Sequence, residues 1–487
     1  MSLLSLIIAA PLAGALLILA LPNTRTKAIQ GVALGASALC MLLSGCLYAA
    51  FDRTTAAMQF IERVSWIPAF GINYYLGVDG LSVAIVILTA LLTLVSIIYS
   101  FNITLRVKEF FFWFLLLEAG MLGVFVSLDF FLFYIFWELT LVPMYFLIGV
   151  WGGPKKEYAA IKFFVYTLLG SLFMLLGILA LYFNSAPHTF DMVELARQGG
   201  LLPLKTQIWI FLALYAGFAV KIPAFPFHTW LPLAHVEAPT GVSVILAGIL
   251  LKMGTYGIMR VSFPMFPAAT KWFMPFFIAI AVINIIYGAF CAMAQKDLKK
   301  MVAYSSINHM GYCMLGMAAM SSIGFNGAVM QMITHGLITG SLFLLVGVIY
   351  DRAHTRDLDV FGGLGARLPV YTGLMVIQAM ASLGLPGLAG FVSEFLCFLG
   401  AFPAWPWYVA ASTVGVIVTA AFFLRMIEKV FLGPFNEKWA GLKDMNPREL
   451  VAIVPLAVLT LVIGLWPRFC LDLIDPTMTY LAGMLNR

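Results

Sequence analysis

Glu138 lies within FYIFWELTLVP, Lys221 opens KIPAFPF, Lys252 lies within AGILLKMGTYG, and Glu394 closely follows SLGLPGLAG. All four interrupt runs that are otherwise apolar. An ionisable group in hydrocarbon costs about 2.5 to 3.5 kcal/mol on insertion scales, so each needs a partner or a water-filled cavity. A Glu and a Lys within about 4 Å attract by about 4 kcal/mol at an effective dielectric of 20. Protonating the one or deprotonating the other releases that constraint, which is the chemistry of a proton relay. The competing reading is a static buried ion pair that fixes helix packing. Recurrence of such groups at mid-membrane depth beside broken helices favours the relay.

Four further charges lie in or at the ends of apolar runs: Glu118, Lys162, Arg260 and Arg425. Arg260 and Arg425 are near run ends, where snorkelling to the interface is expected. Glu118 is read as a lateral link or a second partner for Lys221, and Lys162 as an entry group or a snorkelling residue. Among the histidines, His228 follows the proline break, while His309 and His335 lie inside two other runs. Each admits two readings, a proton carrier titrating near pH 6.5 or a satisfied packing residue. Two intramembrane histidines on different helices, with no second such pair, do not build a multi-haem site. The six cysteines lack metal-ligand spacing, and FGGLG lacks a preceding strand. No cofactor-binding or metal residues are therefore assigned. Moving a proton against 100 mV costs about 2.3 kcal/mol, so a pump built on these residues borrows its energy from a partner.

The elements that position these groups are membrane helices. In 487 residues, 62% are hydrophobic and 10% charged, too little charge to cover a soluble surface. The net charge of +6 sits in short loops and implies no nucleic acid partner. Apolar runs give about 14 spans, near 3 to 21, 28 to 50, 81 to 100, 110 to 128, 130 to 150, 159 to 183 and 207 to 235, then 239 to 260, 272 to 294, 300 to 320, 326 to 350, 370 to 402, 406 to 428 and 450 to 467. The first run lacks a basic leader and a cleavage site, so it reads as a retained span. With both termini outside, sixteen lysines and arginines fall in cytoplasmic loops and seven on the outer side, as the positive-inside rule requires. Spans 7 and 12 are overlong and carry Pro/Gly breaks at mid-length. Their placement five spans apart points to two inverted five-helix repeats, spans 4 to 8 and 9 to 13. The expectation is an all-α integral membrane protein with one membrane domain over 1 to 487. Within it, spans 1 to 3 occupy 1 to 101, the first repeat about 110 to 260, the second about 272 to 432, and the last span about 450 to 467.

The segments GVDGLS, FWELTLVPMY, KIPAFPFHTWLPLAHVEAPTGVSVILAGILLKMGTYG and AYSSINHMGY resemble the antiporter-like subunits of proton-pumping NADH:quinone oxidoreductase, respiratory complex I, a family shared with Mrp antiporters. The resemblance covers roughly residues 75 to 435. It implies that Glu138, Lys221 and Lys252 form the core of a proton path and that Glu394 is its last ionisable group. Sister subunits L and N and the main Mrp subunits carry lysine at that last position, so Glu394 moves the chain toward the M-type branch. So does a chain ending after span 14 without the long lateral helix of the L type. His228, His309, His335 and Glu118 are less directly transferred.

The resemblance further implies a translocase subunit in a bacterial inner membrane. Sister antiporter-like subunits would flank it, with lipid around the assembly, and flavin, iron–sulfur clusters and quinone would reside in partner subunits. Protons would enter from the cytoplasmic side toward Lys252, with loading and release governed by Glu138 and Lys221. Rival readings are an Mrp-type cation/proton antiporter subunit and the homologous subunit of a membrane-bound hydrogenase or a ferredoxin-linked complex. A haem-bearing quinone oxidoreductase is a fourth, from a different class.

Overall fold

The computed structural model describes residues 2–486. Eleven helices among them are long and apolar enough to cross a membrane. Spans 1 to 6 are Leu3–Ala20, Thr26–Ala50, Gly80–Tyr99, Val107–Val126, Phe130–Trp151 and Lys156–Asn184. Span 8 is Thr240–Met265, and spans 9, 11, 13 and 14 are Pro267–Met293, Ser322–Ala353, Pro406–Phe431 and Pro447–Leu465. Three more crossings complete the expected fourteen. Span 10, Leu298–Ala318, carries Lys299, Lys300, Asn308 and His309 and is too polar to stand out by hydropathy. Spans 7 and 12 are each split, into Leu204–Lys221 with Trp230–Glu237 and into Pro369–Ser382 with Ala389–Ala401.

Both breaks fall where the prolines and glycines place them. In span 7 the freed backbone is satisfied locally, as membrane depth demands. Asn284 of span 9 accepts from Phe225 N at 2.7 Å and donates to the Pro223 carbonyl at 3.1 Å. Trp230 donates its indole N–H to the Val220 carbonyl at 3.0 Å. In span 12, Gly384 and Gly387 take φ of +85° and +93°, a conformation costly for residues with a Cβ. Span 8 departs from regular α-helix in a way hydropathy does not reveal. It contains two π-helical segments, Leu246–Leu250 and Ile258–Ser262, which re-aim the side chains that follow.

The apolar windows of spans 8 and 11 are wholly buried, whereas that of span 2 is only 28% buried. The groups carried by spans 8 and 11 therefore face protein on all sides, and span 2 keeps most of its surface for lipid or another chain.

Two elements were not expected from the sequence. A β-hairpin, β1 Gln59–Ile67 against β2 Ile72–Val78, fills the connection before span 3. Asp129, the N-cap of span 5, also accepts from Asn73 N at 2.9 Å and ties the hairpin down. The second is a helix after span 14, Arg468–Leu485, so the chain does not end with that span. Its buried residues, among them Cys470, Leu473, Ile474, Thr477, Met478 and Leu481, follow the spacing of one helix face. Asp472 and Asp475 on its other side lower its hydropathy below that of a span. It packs on spans 3 and 11 at the hairpin face, where Thr477 accepts from Gly80 N at 3.1 Å.

The opposite, lysine-rich face is closed by ion pairs. Arg352 at the end of span 11 forks onto Glu449 at the start of span 14, at 2.8 and 2.9 Å, and Arg356 reaches Asp297 at 3.2 Å. In the loop before span 12, Asp359 accepts from Lys429 and lies 3.1 Å from Lys296. Those two lysines hold its carboxyl below the usual carboxylate range.

Candidate functional site

Lys252 is fully buried in span 8. The Ala247 carbonyl, in the π segment before it, accepts from Lys252 Nζ at 2.7 Å, and Nζ lies 2.6 Å from His335 Nδ1 of span 11. The His335 and His309 rings stand 5.7 Å apart between centroids. His309 of span 10 in turn lies 3.2 Å from Glu394 Oε1 and 3.0 Å from Ser382 Oγ. Four side chains from spans 8, 11, 10 and 12 thus form one polar line, lysine to histidine to histidine to carboxylate. Gln331, Ser393 and Thr334 brace it: Ser393 donates to Gln331 Oε1 at 2.5 Å and pairs with Thr334 at 2.9 Å. Gly384, Gly390 and the bend around them bring Glu394 inward, since a Cβ at Gly390 would run into the Ala381 carbonyl. Ser382 is the last residue of the first half of span 12, as Lys221 is of span 7. The two broken helices thus present different chemistry at matching places.

Lys221 is 2% exposed, and its Nζ has no hydrogen-bond partner among the described residues. Glu138 Oε1 is likewise unpartnered. The sequence expectation of a contact ion pair is not met: the two groups are farther apart than 4 Å, although each lies in the other's field. Lys221 sits instead at the carbonyl end of a half-helix, whose dipole favours a cation.

Glu118 is not a second partner for Lys221. Its carboxylate accepts from Ser37 of span 2 at 3.1 Å and lies beside Cys40, so it belongs to the lateral packing of spans 2 and 4. His228 stacks on Phe225 and lies 3.3 Å from the Tyr287 hydroxyl, with Lys162 near it. Lys162 lies over the rings of Tyr158 and Tyr166. Arg260 does not snorkel. It pairs with Asp79 of the span 3 cap and also touches Ser82 and Tyr256, with 10% of its side chain exposed. Arg425 donates to the Met293 carbonyl at 2.8 Å.

His235, in the second half of span 7, is a further buried histidine to which the sequence assigns no role. It is fully buried, stacked on Phe343 at 4.6 Å, and neither ring nitrogen has a partner among the described residues. Lys299 and Lys252 both act on it. Val236 and Glu237, the next two residues, line a cavity of about 290 Å³ on the lysine-rich face together with Lys299 and Asp351. The signal available in the sequence was a histidine in the second half of a broken helix, in AHVEAPTG.

A lysine, two histidines and a glutamate are thus lined up across four spans, beside two broken helices. The family described as NADH:quinone oxidoreductase/Mrp antiporter, TM, matches residues 127–420. NADH-quinone oxidoreductase subunit M of Rhodobacter capsulatus is 44% identical over 468 residues, covering 93% of this chain and 90% of that one. The chain belongs to the NADH-quinone oxidoreductase subunit M family. A chain of respiratory complex I from Thermus thermophilus with bound NADH superposes at a TM-score of 0.90 with 30% identity, covering 99% of both chains. A chain of the Mrp complex from Dietzia sp. reaches 0.88 at 20% identity over 99% of both, which shows a shared fold. As a member of the subunit M family, the protein is an antiporter-like, multi-pass membrane subunit of NADH-quinone oxidoreductase, and Glu394 is the residue that pointed to that branch.

Proposed function

We propose that this chain carries protons along Lys252, His335, His309 and Glu394, with Glu138 and Lys221 governing loading and release. The observation that carries this reading is the line from Lys252 to Glu394: Lys252 Nζ is 2.6 Å from His335 Nδ1, the two imidazole rings are 5.7 Å apart between centroids, and His309 Nδ1 is 3.2 Å from Glu394 Oε1. Imidazole both accepts and donates a proton near neutral pH, so it suits the two middle places. The stretches around 110 to 260 and 272 to 432 act as the two repeats, each supplying one broken helix. The lysine-rich face is cytoplasmic and the hairpin face lies outside a bacterial inner membrane, with both termini on the outer side. Quinone reduction in partner subunits, which hold the flavin and iron–sulfur clusters, supplies the energy. Glu394 links the line to a neighbouring antiporter-like subunit, and lipid surrounds the rest.

In sealed vesicles holding the intact complex, His309→Ala is expected to lower NADH-driven proton uptake by about tenfold to a hundredfold, the range for loss of one proton-transfer group. Glu394→Gln, which keeps shape and removes the titrating group, is expected to do the same. Unchanged uptake in both, at equal complex content, rejects the line as the path. Sodium-dependent proton exchange without NADH would instead support the Mrp-type reading.

A further inference from the structure

The Lys221 ammonium and the Glu138 carboxylate are close enough to feel one another and yet do not meet, and neither has another hydrogen-bond partner for its orphaned atom among the described residues. Lys221 is buried and Glu138 part-buried, and opposite charges so placed attract strongly, so something holds the cation off the anion. Lys221 Nζ lies over the face of Trp137 and over the face of Phe163, 5.6 Å from each ring centroid. Both rings are buried, at 1% and 0% exposed, and an aromatic face attracts a cation most strongly where water is excluded.

The rings are themselves fixed. Trp230, from the second half of span 7, packs on Phe163 at 5.4 Å and ties down the Val220 carbonyl next to Lys221. Phe218 packs on Trp137 at 5.7 Å. The break in span 7 therefore places Lys221 and the buttress of its cage in one unit.

We propose that Trp137 and Phe163 form an aromatic cage that holds the Lys221 ammonium in a position dissociated from Glu138. They are positioning residues, and this rests on the proton-transfer reading given above. Closing the pair requires Nζ to leave both faces, so the cage sets the balance between an open state, in which Glu138 is free to take or give a proton, and a closed ion pair.

The test replaces Phe163 by mono-, di- and trifluorophenylalanine in the intact complex. Fluorine withdraws charge from the ring face while nearly keeping its shape, so a packing role is left in place. NADH-driven proton uptake in sealed vesicles, per assembled complex, is expected to fall stepwise with each fluorine and to reach about a tenfold loss, which corresponds to about 1.4 kcal/mol of lost cation attraction. Phe163→Tyr, which keeps an aromatic face, is expected to retain most of the rate, and Phe163→Leu to lose at least as much as the trifluoro form. A flat fluorine series while Lys221→Ala abolishes uptake overturns the cage and leaves the proton-transfer reading standing. Normal uptake by Lys221→Ala overturns that reading and the cage with it.

Discussion

Lys252→Met is expected to cut NADH-driven proton uptake by about a hundredfold or more, at the upper end of what one proton-transfer group contributes. Methionine matches the lysine stem and fills the same fully buried site in span 8, so packing is largely kept. What is lost is the group that joins the Ala247 carbonyl to His335 Nδ1, and with it the first member of the line. Lys252→Arg separates the two meanings of that loss. Arginine keeps the positive charge and adds donors, but it does not give up its proton in a protein. A lysine that only anchored span 8 to span 11 by charge would be replaced tolerably by arginine. A lysine that passes a proton would not. The arginine variant is therefore expected to assemble and to pump as poorly as the methionine variant, measured as initial uptake per complex in sealed vesicles. Uptake within twofold of the parent in Lys252→Arg would leave Lys252 a structural cation.

What could be read from the chain follows from how strongly each feature is punished by the membrane. Charge inside an apolar run is so costly that Glu138, Lys221, Lys252 and Glu394 stood out by type alone, and proline marked the break of span 7 because it removes a donor that no solvent replaces. Direction around a helix axis carries no comparable mark. Glu118 and Glu138 are equally conspicuous in sequence, yet the first turns to Ser37 of span 2 and the second toward span 7. The expected contact between Glu138 and Lys221 failed for the same reason: spacing along two helices does not say that the ammonium lies over the faces of Trp137 and Phe163. The π segment that aims Lys252 at His335 has no residue signature of its own. His235 lies at the very end of the expected span 7, past its prolines, where a histidine reads as an interfacial residue although it is fully buried. The Arg468–Leu485 helix was hidden because half of it is polar, and a hydropathy window averages over both faces.

Arg260 provides the sharpest contrast between the two levels, and Arg260→Met is expected to destabilise the protein by about 3 to 5 kcal/mol. Hydropathy placed this arginine at a span end, free to reach the interface, where its loss would cost about 0 to 1 kcal/mol. The structure gives it Asp79, a side chain 1% exposed, with Ser82 and Tyr256 completing the cluster. Removing the cation leaves a buried carboxylate uncompensated, which is the costly half of breaking such a pair. Asp79 also caps span 3 by accepting from Ser82 N at 3.1 Å, so the second change must keep the cap. Asp79→Asn does so, because an asparagine side-chain oxygen serves equally well there. Adding Asp79→Asn to Arg260→Met is expected to recover most of the lost stability, while Asp79→Asn alone strands the arginine and is expected to be harmful. Thermal unfolding of the purified complex, with the content of assembled complex in membranes, reads all three variants. Strict additivity of the two changes would show that Arg260 and Asp79 act independently. Recovery in the double variant would show that this end of span 8 is held by a desolvated pair, of which one partner cannot be lost without the other.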